Sequence, residues 1–181
     1  IISFALIIVI CFTQVNAQNF IAKAQVEYEV RTNIKKTMGN GFWAEMIQDK
    51  VPDFKTGYFN YTFNDNKSIF KFDHWAPNTI PSFLKTADEE TAWYSDFTKD
   101  EISAKKNVIG GTFSIKDSLR KIDWKLTNEN MVIAGFNCRK AEAVIFDSVY
   151  IFAYYSEELM ISGGPASING LPGLILGLTI P

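Results

Sequence analysis

From Lys23 to Thr32 the chain reads KAQVEYEVRT: Ala24, Val26, Tyr28 and Val30 fall on one side, and Lys23, Gln25, Glu27, Glu29 and Arg31 on the other. Side chains alternate in this way only along an extended strand, so the run specifies a strand with one dry face and one wet one. The same period returns in GYFNYTFND, KSIFKFDHW, TAWYSDFT, GGTFSIKDS, KIDWKLT, FNCRKAEAVIF and SVYIFAYYS, separated by Gly, Asn, Asp and Ser. Asn64, Asp65 and Asn66 tolerate left-handed backbone and read as a hairpin turn, as do Asp147 and Ser148. Only NGFWAEMIQDKV, over Phe42 to Lys50, and FLKTADEETA suggest helix, and HWAPNTIPSF, with two prolines, reads as an irregular connection. The expected fold is mainly β: an antiparallel meander forming a curved sheet or partly closed half-barrel, with one or two short helices.

At 181 residues, 47% apolar and a net charge of -2, the chain has the composition of one ordinary globular domain. It lacks the clustered Lys and Arg that binding to phosphates demands, so nucleic acid is not expected as a partner. The opening IISFALIIVICFTQVNA carries no charge, is too short to span a bilayer, and ends in small residues at Val15 and Ala17. It reads as a signal peptide over residues 1–17, cut between Ala17 and Gln18, which implies export and no transmembrane segment after cleavage. The apolar LILGLTIP at the other end has no closing turn. It suggests that the domain, residues 18–181, is truncated at its C-terminus, with at least one further strand beyond.

Of the two cysteines, Cys11 falls in the leader and only Cys138 belongs to the mature chain. Alternation puts Phe136, Cys138, Lys140 and Glu142 on one face and Asn137, Arg139, Ala141 and Ala143 on the other, so Cys138 reads as a small packed residue. Its alternative is a disulfide to a cysteine outside the sequence.

Candidate chemistry is sparse. The single histidine, His74, precludes a multi-His metal site, and alternation sends the adjacent Asp73 to the opposite face. Asp88, Glu89 and Glu90, with Asp96 and Asp100 downstream, invite a paired-carboxylate reading for glycoside hydrolysis or calcium, but their spacing fits no fixed geometry and reads as a solvated loop. Gly110 and Gly111 lack the Lys and the helix of a phosphate cradle and read as a hairpin turn. No catalytic, cofactor or metal residue is expected. Trp43, Trp75, Trp93 and Trp124, with Phe and Tyr in nearly every strand, either fill the interior or line a cleft for an apolar ligand.

The last segment, GGPASINGLPGLILGLTIP, concentrates glycine and proline in an apolar run. Pro172 fixes its own φ and Gly173 permits φ > 0, so Leu171 to Leu174 suits a type II turn or sharp bend. Gly163, Gly164 and Pro165 make an earlier bend, while Gly170 and Gly177 allow close backbone approach or a bulge. A loop this apolar either closes one mouth of the sheet or offers an apolar patch to a partner.

Gly170, Leu171, Pro172, Gly173, Leu174 and Ile175 spell the signature of the GLPGLI family of exported Bacteroidota proteins, which this chain resembles over most of its mature length. The resemblance includes Asp123 to Leu126 with Trp124, the run Gly135 to Ala141 with Cys138 and Lys140, the Tyr154–Tyr155 strand and the Gly164–Pro165 bend. It implies a β-rich envelope protein with no established enzymatic activity, considered alongside outer-membrane transport systems, and it supplies no catalytic residues. The leader, the aromatic strands and the apolar Gly/Pro loop favour a non-enzymatic binding or carrier module of the periplasm or outer membrane, holding an apolar ligand or docking on an outer-membrane transporter. The alternative is a periplasmic hydrolase using surface carboxylates, which would need Asp73 and His74, or the Asp88 to Asp100 group, to converge.

Overall fold

A computed structural model describes residues 21–39, 41–77, 80–108 and 111–181. The leader expected over residues 1–17, Cys11 included, lies outside the described residues, as do Ile109 and Gly110. The fold is mainly β and antiparallel throughout. Strands β1 (Lys23–Asn33), β2 (Phe54–Asn64), β3 (Lys67–Trp75), β4 (Ala92–Asp96), β5 (Glu101–Val108) and β6 (Gly111–Ser118) pair in chain order as one sheet. A second sheet runs β10-β9-β8-β7, from β7 (Lys125–Ile133), β8 (Phe136–Ile145), β9 (Val149–Ser156) and β10 (Leu174–Thr179). Among the described residues neither sheet closes into a barrel, and β1 and β10 are edges of their sheets. Helices α1 (Ile34–Met38), α2 (Phe42–Ile47) and α3 (Thr86–Glu89) are short, and none among the described residues is long and apolar enough to cross a membrane.

The turns follow from residues that accept φ > 0. Asp65 (φ 47°) and Asn66 (φ 59°) close the β2–β3 hairpin with Asn64 opposite Lys67, as expected. Ala134 and Gly135, at φ 50° and 86°, do the same between β7 and β8. In the β8–β9 hairpin Phe146 (φ 51°) and Asp147 (φ 62°) are left-handed, one residue earlier than the expected Asp147–Ser148 pair. Val108 lies opposite Gly111 at the end of the β5–β6 pairing. KIDWKLT becomes strand only at Lys125, where pairing with Glu142 begins.

The alternation of β1 holds: Val26, Tyr28 and Val30 pack inward, and Tyr28 joins Phe59, Tyr61, Phe63 and Phe70 in an aromatic core that Leu174 of β10 and Ile161 of the β9–β10 connection cap. A second cluster gathers Ala141, Ala153, Tyr155, Leu171 and Ile175, with Trp124, Ile168 and Leu178 packed against it. Buried aromatic side chains supply most of the apolar area in the first cluster, and edge-to-face contacts such as Tyr28 with Tyr61, centroids 6.3 Å apart, add to it.

Candidate functional site: the GLPGLI junction and the cleft beside it

The hexapeptide is the joint between the two clusters. Leu171 and Ile175 enter the second core and Leu174 the first, all three buried, while Pro172 stays exposed. The apolar run therefore closes the interior. It is not a free patch. The bend over residues 171–173 is present, but it is no type II turn: of the glycines in the hexapeptide only Gly170, at φ 93°, is left-handed. Gly173 is required for space, since a Cβ there would lie 2.6 Å from the carbonyl carbon of Ser156 and 3.0 Å from the Glu157 nitrogen.

Of the other residues of the resemblance, Trp124, Gly164 and Ala141 pack at the same joint. Trp124 Nε1 donates to Asn169 O at 2.9 Å, pinning the approach to the hexapeptide. A Cβ on Gly164 would meet Ile175 Cβ at 2.7 Å, and Pro165 starts a single 3-10 turn, Pro165–Ser167. Cys138 is buried and free, its thiol pushed up by desolvation, and Ala141 is fully buried under Leu171 and Ile175. Lys140 lies between Glu129 (3.1 Å) and Glu142 (3.2 Å), which raise its pKa, and over the ring of Phe152.

A bulge shifts the β9–β10 register between Ile175 and Gly177. The Ile175 carbonyl accepts a 2.5 Å hydrogen bond from Tyr28 Oη of β1. This buried phenol bridges the two sheets, and burial raises its pKa well above the ordinary 10.0. Beyond that bridge the strands diverge around a cleft of about 810 Å³. Consecutive residues of β1, Glu29 to Asn33, and of β10, Leu176 to Thr179, line it. Since neighbours on a strand point to opposite faces, consecutive lining residues mean that the strand edges themselves form the walls. Phe59, Phe70, Ile133 and Tyr154 supply apolar floor and sides.

The carboxylates beyond β3 do not converge. Asp88 pairs with Lys55, Glu89 accepts from Trp75 Nε1 at 2.7 Å, and Glu90 accepts from Asn107 and Thr112, which hold its carboxyl below the usual range. Asp96 caps the backbone nitrogens of Thr98 and Lys99. Asp73 and His74, by contrast, lie on one face, against expectation. Tyr58 faces His74 and Phe59 faces Phe72, so Asp73 is an extra residue in β3. This bulge resets the alternation, and Asp73 Oδ2 lies 2.7 Å from His74 Nδ1.

No family model and no curated protein matches the chain. Two solved structures of PNGF-II are similar in fold. One, in space group C2, has a TM-score of 0.51 and 20% identity over 71% of this chain and 23% of its own; the other, in space group P21, has 0.50 and 21% over 68% and 22%. The chain thus spans less than a quarter of the length of PNGF-II. At this identity the likeness is one of fold.

Proposed function

We propose that the protein is an exported, non-enzymatic envelope module whose cleft receives an extended apolar segment of a partner protein. The charge-free apolar run before Gln18 and the resemblance to the GLPGLI family support export and envelope residence. The cleft carries the binding reading. Its walls are two strand edges, each hydrogen-bonded on one side only, and its floor is apolar. A volume of about 810 Å³ is within the range of ligand sites. An acyl chain would satisfy the floor and leave the backbone N–H and C=O groups of the walls without protein partners. An extended peptide satisfies both, by strand addition. A segment of an outer-membrane transporter is the kind of partner this favours. The hydrolase reading has less support: Asp88, Glu89, Glu90 and Asp96 are spent on structural contacts, and Asp73 and His74, though 2.7 Å apart, are exposed and do not line the cleft.

The test uses residues 18–181, a fluorescent ten-residue Val/Thr/Leu peptide, the same peptide N-methylated at alternate residues, and a fluorescent fatty acid. We expect the unmodified peptide to bind, N-methylation to abolish binding, and amide exchange to slow at Glu29 to Thr32 and Leu176 to Thr179. Fatty-acid binding with no peptide binding, or equal binding of the methylated peptide, would overturn the reading.

A further inference from the structure

On the outer face of the first sheet, outside both cores, three side chains offer different donors to one point. One ligand atom each from Glu27 of β1 and from Asp73 and His74 of β3 lie within 4.8 Å of one another. The strand between them, β2, contributes Tyr58, whose ring stacks on the imidazole at 4.6 Å and 17°. We propose that Glu27, Asp73 and His74 form a surface binding site for a divalent first-row transition ion of the zinc type.

Three observations support this. The donor set is one imidazole nitrogen and two carboxylate oxygens, which suits Zn²⁺ and its neighbours; Ca²⁺ and Mg²⁺ favour oxygen alone. Zinc–ligand bonds of about 2.1 Å set donors roughly 3.4 Å apart in a tetrahedron, so a set within 4.8 Å closes by rotation of exposed side chains. Secondly, the site depends on a backbone irregularity. Without the extra residue, Asp73 and His74 would face opposite sides of the sheet. A surface His–Asp pair contributes little stability and does not account for a disrupted ladder. Thirdly, the imidazole is held before any ion arrives by stacking on the Tyr58 ring, which is not one of the donors. Glu29 adds a further carboxylate on the same face, with Oε2 3.4 Å from Tyr58 Oη, and its charge is the main cause raising the Tyr58 phenol. Lys71, across Asn60 from Glu27, is the nearby cation. The protein donors approach from one side, so remaining positions are open to water or to a donor from a partner.

Because His74 is the only histidine, its side-chain nitrogens can be followed without assignment. Residues 18–181, free of any histidine tag, are titrated with ZnCl₂ by calorimetry and by long-range ¹H–¹⁵N NMR, with CaCl₂ and MgCl₂ as comparisons. Cys138, buried and with a raised pKa, does not compete. We expect one equivalent of Zn²⁺ to shift the imidazole nitrogens. Glu27→Gln should weaken binding at least about tenfold and His74→Gln more, with circular dichroism melts unchanged because all three side chains are exposed. Unmoved imidazole resonances at stoichiometric zinc would overturn the site. So would variants that bind like the parent, or calcium binding more tightly than zinc.

Discussion

Gly173→Ala tests whether the hexapeptide is a joint held by backbone contact. The new methyl carbon would press on the Ser156 carbonyl oxygen, 2.6 Å from its carbon and 3.0 Å from the Glu157 nitrogen. All are main-chain atoms, so no rotamer change relieves the clash. Ser156 O also accepts from Leu159 N at 3.3 Å, and Ser156 is the β9 partner of Leu174. Displacing it therefore disturbs the pairing that seats Leu174 in the aromatic core. Overpacking of this kind costs about 1–3 kcal/mol, and a lost buried hydrogen bond about 1 kcal/mol more. A total of about 2–4 kcal/mol corresponds to a fall in Tm of roughly 6–12 °C for a chain of this size. Gly135→Ala is the control. Its φ of 86° is unfavourable to alanine, but a Cβ there meets nothing within 4 Å. Its cost is backbone strain alone, about 1 kcal/mol or about 3 °C. The two melts are measured by circular dichroism at neutral pH. If Gly173→Ala melts with Gly135→Ala or above it, the close approach to Ser156 does not hold the joint.

Two further predictions concern the cores. Leu171→Asp and Leu174→Asp each bury an unpaired carboxylate at a site 2% or 0% exposed, so each should cost more than about 4 kcal/mol and leave little folded protein; a parent-like urea midpoint for either would show the run to be an exposed linker. Alkali should unfold the protein through its buried phenols. Tyr61 is pushed by burial from 10.0 to about 12, and Tyr28 is raised further. Their stabilisation is complete below pH 10, where both unfolded phenols are protonated, and is lost as pH rises through the folded values. Tyr61 alone accounts for about 3 kcal/mol between those limits. Urea midpoints at pH 8 and pH 11 should therefore differ less in Tyr61→Phe than in the parent, and an unchanged difference would contradict the assignment.

Strand existence was legible wherever apolar residues alternated without a break, as in β1, β2 and β3. Two strands do not show in the alternation. The β5 sequence EISAKKNV carries Glu, Lys and Asn where strand-forming residues are expected; the hydrogen-bonded pairing of both its neighbours overrides propensity there. In β10 the glycines and the preceding proline mark a loop, yet Gly177 sits in the strand because Tyr154 and Ile133 crowd its missing Cβ. Helix α1 is hidden in the same way: Asn33 caps it by accepting from Lys36 N at 2.9 Å, a signal present in the sequence but masked by the strand pattern that runs straight into it.

The candidate sites were less legible than the fold, for one physical reason. Alternation propagates a facing assignment along a strand only while the ladder is regular, and both sites lie at irregularities. The extra residue Asp73 in β3 turns a strand-end histidine with a carboxylate behind the sheet into a histidine with a carboxylate beside it. The shift after Ile175 in β10 frees the carbonyl that Tyr28 binds, and beyond it the edges of β1 and β10 part to form the cleft. Neither irregularity follows from period-two patterning, because the insertion of one residue is defined by the partner strand, and the partner's register is set by distant turns. Glu27 shows the same limit from the other side. It reads as one more solvated residue on a wet face, and only the register of two successive strand pairs brings it to His74.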